Sequence, residues 1–384
     1  MNILWHSNAP WTPSGYGQQT NLFCPRIKAL GHDMSISAYF GLAGAVLNGP
    51  DNIKMYPKHY DDYGNDVVIA HATEAKADVL LTLMDVQVLT IEGWPFNCHW
   101  VPWYPIDHDT MPMIIRNKVM QAWRRIVFSK HAERLTHEAG LECYYVPHGV
   151  NTKVFKPKDK AEARERLGLP KDAYIIGTVA MNKGVPSRKS FVEMITAFAN
   201  CKKRHPSMVY LLQTATGEGV NWMINLPELC YSLGLKVGTD VIFCDQYQMV
   251  TGFPPEYMAD LYASMDVHLL ASLGEGFGIP TLEAQACGTP VIVGDWTASP
   301  ELCFSGRLIP KEDADALYTP MAAYQYRPRV RGIEIQIEAE YKKPSPPGPA
   351  VKGAALYDVD YVTENYWKPT LDSLQEAVNA DARG

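Results

Sequence analysis

The sequence has no C-x-x-C pair: its eight cysteines (Cys24, Cys98, Cys143, Cys201, Cys230, Cys244, Cys287, Cys303) are scattered over 384 residues. That scatter argues against a zinc module and for reduced, mostly buried thiols, so the expected compartment is the cytoplasm. Long apolar runs are missing as well. No uninterrupted stretch approaches the ~18 residues that cross a bilayer, so no transmembrane segment is expected. The start, Met1 to His6, lacks the charged and then apolar order of a secretion signal. Positive charge is scarce: 35 Lys and Arg stand against 42 Asp and Glu, a net charge of −7. A chain of that sign does not advertise nucleic acid or an anionic membrane as its main partner. What it has in quantity is apolar residues, 47% against 20% charged. That supports full cores in two domains at roughly 150 residues per domain.

Short apolar runs alternate with helical patterns along most of the chain. Ile3 to His6 reads as a strand, followed by a turn-rich stretch and a helix closed by Gly31. Further strands are expected at 35–39, 67–70, 79–83, 99–103 and 126–129. After a break at Val146-Pro147-His148-Gly149-Val150-Asn151 the alternation restarts, with strands at 174–180, 208–213, 241–244, 267–271 and 290–293. A helix over 188–204 carries Phe191, Met194, Ile195 and Phe198 on one face. Such alternation means βαβ units on parallel sheets. The expected class is α/β with two doubly wound, Rossmann-like domains, whose cleft the strand carboxyl ends would line. The expected boundaries are 1–150, 151–363 and a final helix, 364–384, that returns to the first domain. Residues 313–353, with Pro344-Ser345-Pro346-Pro347-Gly348-Pro349, read as an irregular insert.

The most informative segment runs from Ser272 to Pro290. It leaves a buried strand and opens a helix, with Pro280 suited to the first turn and Gly288 to the end. Gly274, Gly276 and Gly278 let the backbone approach a bulky ligand, and the helix start favours a phosphate. Glu275 precedes the helix and Glu283 follows eight positions later. Carboxylates suit hydroxylated ligands because each accepts more than one short hydrogen bond.

This segment resembles the E-x7-E signature of GT4-family retaining glycosyltransferases with the GT-B fold. Val146 to Pro157 is similar to that family's interdomain segment, Ser129-Lys130-His131 to its strand-to-helix step, and Pro13-Ser14-Gly15-Tyr16-Gly17 to its N-terminal glycine loop. The likeness covers residues 1–310 and the last helix. It implies a nucleoside-diphosphate sugar donor of UDP- or GDP-hexose type and a hydroxyl acceptor. By the resemblance Glu283 would hold the donor's ribose and Glu275 the hydroxyls of the transferred sugar. Gly276, Phe277 and Gly278 would pack against the donor, and Gly15 and Gly17 would lie near its phosphates. Cations for the diphosphate would come from Met181 to Lys189, where Arg188 and Lys189 stand ahead of Lys183, although this loop departs from the family's shorter R-x-x-x-x-K pattern. Fixed cations there would stabilise the charge that grows on the leaving diphosphate.

The resemblance implies no cofactor and no bound metal. Asp107-His108-Asp109 and Asp313-Ala314-Asp315 match the D-x-D pattern, but so short a pattern arises by chance. Asp107 and Trp103 are assigned to the acceptor side, with Trp94, Trp100 and Trp103 read as core or acceptor-cleft walls, and His6 and His71 as structural. Two rival readings accompany this one. The acceptor could be a modified DNA base, met by the basic clusters Arg124, Arg125, Lys130, Arg134 and Arg327, Arg329, Arg331, Lys342, Lys343. Alternatively, the chain binds sugar nucleotides without catalysis.

Overall fold

The computed structural model describes residues 1–90 and 98–381; Trp94 and the last residues of the expected final helix lie outside them. The chain divides into two compact units. One comprises Met1–Ile106, Thr110–Gly149 and Tyr357–Gly384; the other comprises Asp107–Asp109 and Val150–Leu356. The division differs from expectation in three places: Asp107–Asp109 and Val150 count with the second unit, and the last division falls after Leu356 rather than 363.

The first unit holds β1 (Asn2–Asn8), β2 (Asp33–Ala43), β3 (Leu47–Asn48), β4 (Lys54–Lys58), β5 (Val79–Leu83), β6 (His99–Tyr104), β7 (Ile126–Val127) and β8 (Tyr144–Tyr145). They form one sheet in the order β3-β4-β2-β1-β5-β6-β7-β8, parallel throughout except at β3–β4. Ile3, Leu4 and Trp5 are buried, as an inner parallel strand covered on both faces requires. Residues 67–70, expected as a strand, instead open the helix Val68–Glu74. Only Val68 and Ala72, one turn apart, are buried there, and a four-residue apolar run does not separate the two structures.

Trp103 corrects another expectation. It is fully buried, its ring within 6 Å of Trp5, Phe23, Phe128, His148 and Trp367, and its Nε1–H donates to the Val146 carbonyl. A ring enclosed on every side is core and leaves no face for an acceptor.

The second unit holds β9 (Tyr174–Val179), β10 (Met208–Gln213), β11 (Val241–Phe243), β12 (Val267–Leu270), β13 (Val291–Gly294) and β14 (Gly306–Ile309). They form a wholly parallel sheet in the order β11-β10-β9-β12-β13-β14. The helix Phe191–Arg204 lays Phe191, Met194, Ile195 and Phe198 on its core.

The stretch 313–353 is not irregular. It forms an antiparallel hairpin, β15 (Ala314–Tyr318) and β16 (Tyr324–Pro328), then the helices Val330–Lys342 and Pro347–Ala355. Ile333, Ile337 and Glu340 share the buried face of the first helix. Pro346 and Pro347 stand at the N-cap and first position of the second, where a missing N–H costs nothing. The turn between the helices closes on the Glu340 carboxylate, which accepts from Arg307 Nε (2.9 Å), Ser345 N (2.6 Å) and Ser345 Oγ (2.8 Å). The proline run therefore starts a helix.

Candidate functional site

In an open parallel sheet, ligands gather beyond the carboxyl ends of the strands, where strand order reverses. In the second unit that point lies between β9 and β12, since β10 flanks β9 on one side and β12 on the other. The loop leaving β9 carries Lys189, and the loop leaving β12 carries Glu275. Their side chains meet there: Lys189 Nζ donates to Glu275 Oε1, with side-chain exposures of 17% and 10%.

Local conformation explains why these two meet. Arg188 and Lys189 precede the helix Phe191–Arg204 rather than opening it, because Ser190 takes a left-handed conformation (φ +53°) at the N-cap. The β12 loop is tied to them, with Leu273 N–H donating to the Arg188 carbonyl (2.8 Å) and Arg188 Nη1 to the Gly274 carbonyl (3.0 Å). The Glu275 backbone is fixed from the far side. Its N–H donates to Thr297 Oγ1 (3.0 Å), and its carbonyl accepts from Ala298 N–H (3.2 Å). Thr297 sits at φ +53°, a strained setting for a β-branched residue.

The electrostatics follow from this packing. Burial pushes the Glu275 carboxyl up, but the Lys189 and Arg188 charges outweigh it and hold it below the ordinary value. Burial pushes Lys189 down, against the pull of Glu275. Arg188 is more open, 45% exposed, and pairs with Asp107 Oδ2 at 3.0 Å. Asp107 is also pushed up by burial, and the hydrogen bond from His108 together with Arg188 holds it below its usual range.

Gly276, Phe277 and Gly278 follow Glu275 in the same loop. Gly278 adopts φ +106°, which a side chain would oppose, and caps the helix Ile279–Ala286. Glu283 is the fifth residue of that helix and is buried; Tyr262 Oη donates to its Oε2 at 2.7 Å. Lys183 lies exposed in the β9 loop. Gly15 and Gly17 belong to the first unit, at the start of the helix Gly15–Ala29. A Cβ on Gly17 would stand 2.5 Å from the Thr12 carbonyl, so close packing accounts for that glycine.

Several residues of the site escaped sequence reasoning. Ser272 donates to Glu275 Oε1 at 2.5 Å; the S-x-x-E spacing was the available signal, although here it joins two side chains rather than capping a helix. Asn182 bridges the β9 and β10 loops through the carbonyls of Ala215 (3.2 Å) and Ile224 (2.7 Å), and nothing in the sequence marked it.

The D-x-D segment is engaged by protein groups. Asp107 holds Arg188, while Asp109 accepts from Lys311 Nζ (2.9 Å) and Tyr326 Oη (2.5 Å). Among the described residues no group of three or more His, Cys, Asp or Glu is placed to hold a metal ion. Many of the basic residues offered for nucleic acid are also matched locally. Lys130 pairs with Glu133, Arg134 with Glu138, Arg327 with Glu193, Arg329 with Asp315 and Lys342 with Glu338. Arg125 is spent on backbone carbonyls. Among the described residues no helix is long and apolar enough to cross a membrane.

Residues 177–324, which include Lys189, Glu275 and Glu283, match the family model described as glycosyl transferases group 1. That segment, which lies wholly in the second unit, is similar to group 1 glycosyltransferases. Curated relatives include a D-inositol 3-phosphate glycosyltransferase of Kribbella flavida, 32% identical over 188 residues, covering 48% of this chain and 42% of that protein. The matches thus span about two-fifths of the length of such relatives. Solved structures carry the likeness over the whole chain. A sucrose-phosphate synthase of Thermosynechococcus elongatus superimposes with a TM-score of 0.77 at 17% identity, over 99% of this chain and 100% of that one. The Anabaena protein HepE in complex with UDP-glucose gives 0.68 at 17%, over 97% and 99%. At such identities the likeness establishes the fold, which is GT-B. Lys189 and Glu275 thus meet at the switch point of the second unit's parallel sheet, inside the segment that matches the group 1 model.

Proposed function

We propose that the chain is a retaining glycosyltransferase that moves a hexose-type sugar from a UDP- or GDP-sugar to a hydroxyl acceptor, a saccharide or small molecule. The observation that carries this reading is the buried Lys189–Glu275 pair at the switch point, within the segment matched to group 1 glycosyltransferases. The names of its relatives support transfer, and the UDP-glucose complex of HepE supports the donor class.

In this reading Glu275 receives hydroxyls of the transferred sugar, Glu283 the ribose, and Lys189 and Arg188 the diphosphate. The acceptor oxygen bonds to the anomeric carbon on the face the phosphate leaves. The bond from that carbon to the diphosphate breaks, its electron pair stays on the diphosphate, and the acceptor's proton passes to a diphosphate oxygen. The two cations stabilise the charge that develops there, so the proposal requires no metal ion.

The test is nucleotide release from UDP-glucose and GDP-mannose, with and without sugar acceptors and D-inositol 3-phosphate, followed by NMR of the product's anomeric configuration. Release with retained configuration is expected. No release from either donor removes the enzyme reading, and UDP binding without release is the outcome of a silent binder.

The charge balance yields a prediction. Lys189 and Arg188 are already matched by Glu275 and Asp107, so a diphosphate meets little net positive charge. Asp107→Asn frees Arg188 and is expected to tighten UDP binding several-fold, measured by calorimetry. Unchanged affinity would take Arg188 off the diphosphate.

A further inference from the structure

The Glu275 carboxylate is not symmetrically engaged. Both donors that reach it, Lys189 Nζ and Ser272 Oγ–H, converge on Oε1. Among the described residues no hydrogen bond is made to Oε2. The backbone on either side cannot compensate by turning, because Thr297 holds the Glu275 N–H and Ala298 its carbonyl. With the main chain pinned and one oxygen taken by two donors, the plane of the carboxylate is set and Oε2 is the oxygen presented to a ligand.

Lys189 alone would not set that plane. An ammonium on a four-carbon stem is a point charge that either carboxylate oxygen satisfies, and it follows the carboxylate as it turns. A hydroxyl on a short arm, rooted two residues beyond the β12 end, has a fixed direction. Ser272 is itself buried, and its carbonyl accepts from Trp296 Nε1 at 2.9 Å, which seats the arm.

We infer that Ser272 is a positioning residue: its hydroxyl locks the Glu275 carboxylate so that Oε2 faces the hydroxyls of the donor's sugar. The inference rests on the proposed donor class and adds a distinct part to it. Ser272 touches no reacting atom; it selects which oxygen of Glu275 does.

The experiment uses the full chain as wild type, Ser272→Ala and Ser272→Thr, each checked for an unchanged thermal midpoint. UDP, which carries no sugar, separates anchoring of the nucleotide from reading of the sugar. Ser272→Ala is expected to bind UDP as wild type does while kcat/KM for UDP-glucose hydrolysis falls about tenfold or more, the loss typical of one hydrogen bond to a charged group. Carbon-13 NMR titration of Glu275 is expected to show its carboxyl titrating at higher pH in Ser272→Ala, with Ser272→Thr restoring both readouts. Equal losses in UDP affinity and sugar turnover would make Ser272 a mere support of the loop and overturn the inference. So would an unmoved Glu275 titration. Wild-type protein that binds neither UDP nor GDP and hydrolyses neither UDP-glucose nor GDP-mannose would instead overturn the donor reading, and this inference with it.

Discussion

Replacing Lys189 with alanine is expected to cut turnover of a nucleotide-sugar donor by about 10²- to 10³-fold, the range seen when one preorganised stabiliser of developing charge is removed. Two effects act together. The diphosphate loses a cation held in a poorly solvated position, where a charge acts more strongly than in water. Glu275 also loses the nearer of its two cations, and since burial already pushes its carboxyl up, protonation would reach further toward neutral pH.

The same substitution affects stability, because breaking a buried pair strands the other charge at a cost of about 3–5 kcal/mol. The sign of the pH effect follows. A carboxyl held below its unfolded value near 4.5 contributes stability above that pH and loses it as pH falls toward the folded value. Lys189→Ala removes that contribution, whereas the double variant Lys189→Ala, Glu275→Gln regains much of the stability but none of the turnover. Urea unfolding and donor hydrolysis on the four members of this cycle measure both couplings. Near-normal hydrolysis in Lys189→Ala would end the assignment of this site.

The second large effect is acid lability. Burial lowers His6 to about 4, His148 to about 3 and His268 to about 3, from an ordinary 6.5. Each ring stays neutral in the fold and takes a proton on unfolding, so stability is full above pH 6.5 and falls as pH drops toward the folded values. At pH 5 the loss is roughly 2 kcal/mol per ring. His6 and His148 act on the first unit and His268 on the second. Urea titrations at pH 7 and pH 5 should show the drop, and His148→Leu should flatten it in the first unit. A stability that does not change between those pH values would contradict the burial of these rings.

Much of the fold was legible because the strands are buried runs of a kind periodicity detects: 174–179, 208–213 and 267–270 stand out as mostly apolar stretches followed by helices. The errors have physical causes. Residues 67–70 are too short a run to choose between strand and helix. The proline run at 344–349 reads from sequence as part of an irregular insert, although prolines at the first position of a helix initiate it. A strand expected to end at the cleft suggests an acceptor-side Trp103, but five aromatic neighbours from distant parts of the chain enclose it. At the candidate site, Glu275 was readable as a candidate from the glycine spacing, and Lys189 only through the family resemblance. Ser272 and Asn182 were not, since what they do depends on which atoms face them across the sheet end.

The three residues Asp107–Asp109 have a practical consequence for dissection. A fragment cloned from Val150 to Leu356 would omit them and leave Arg188, Lys311 and Tyr326 without the acidic partners they hold in the intact chain. Gly274, whose Cβ would fall 2.1 Å from the Asp107 carbonyl, would face a gap where backbone belongs. The excised piece would thus begin life with a wound beside Glu275, and a minimal donor-binding fragment has to carry that tripeptide, grafted or circularly permuted into place.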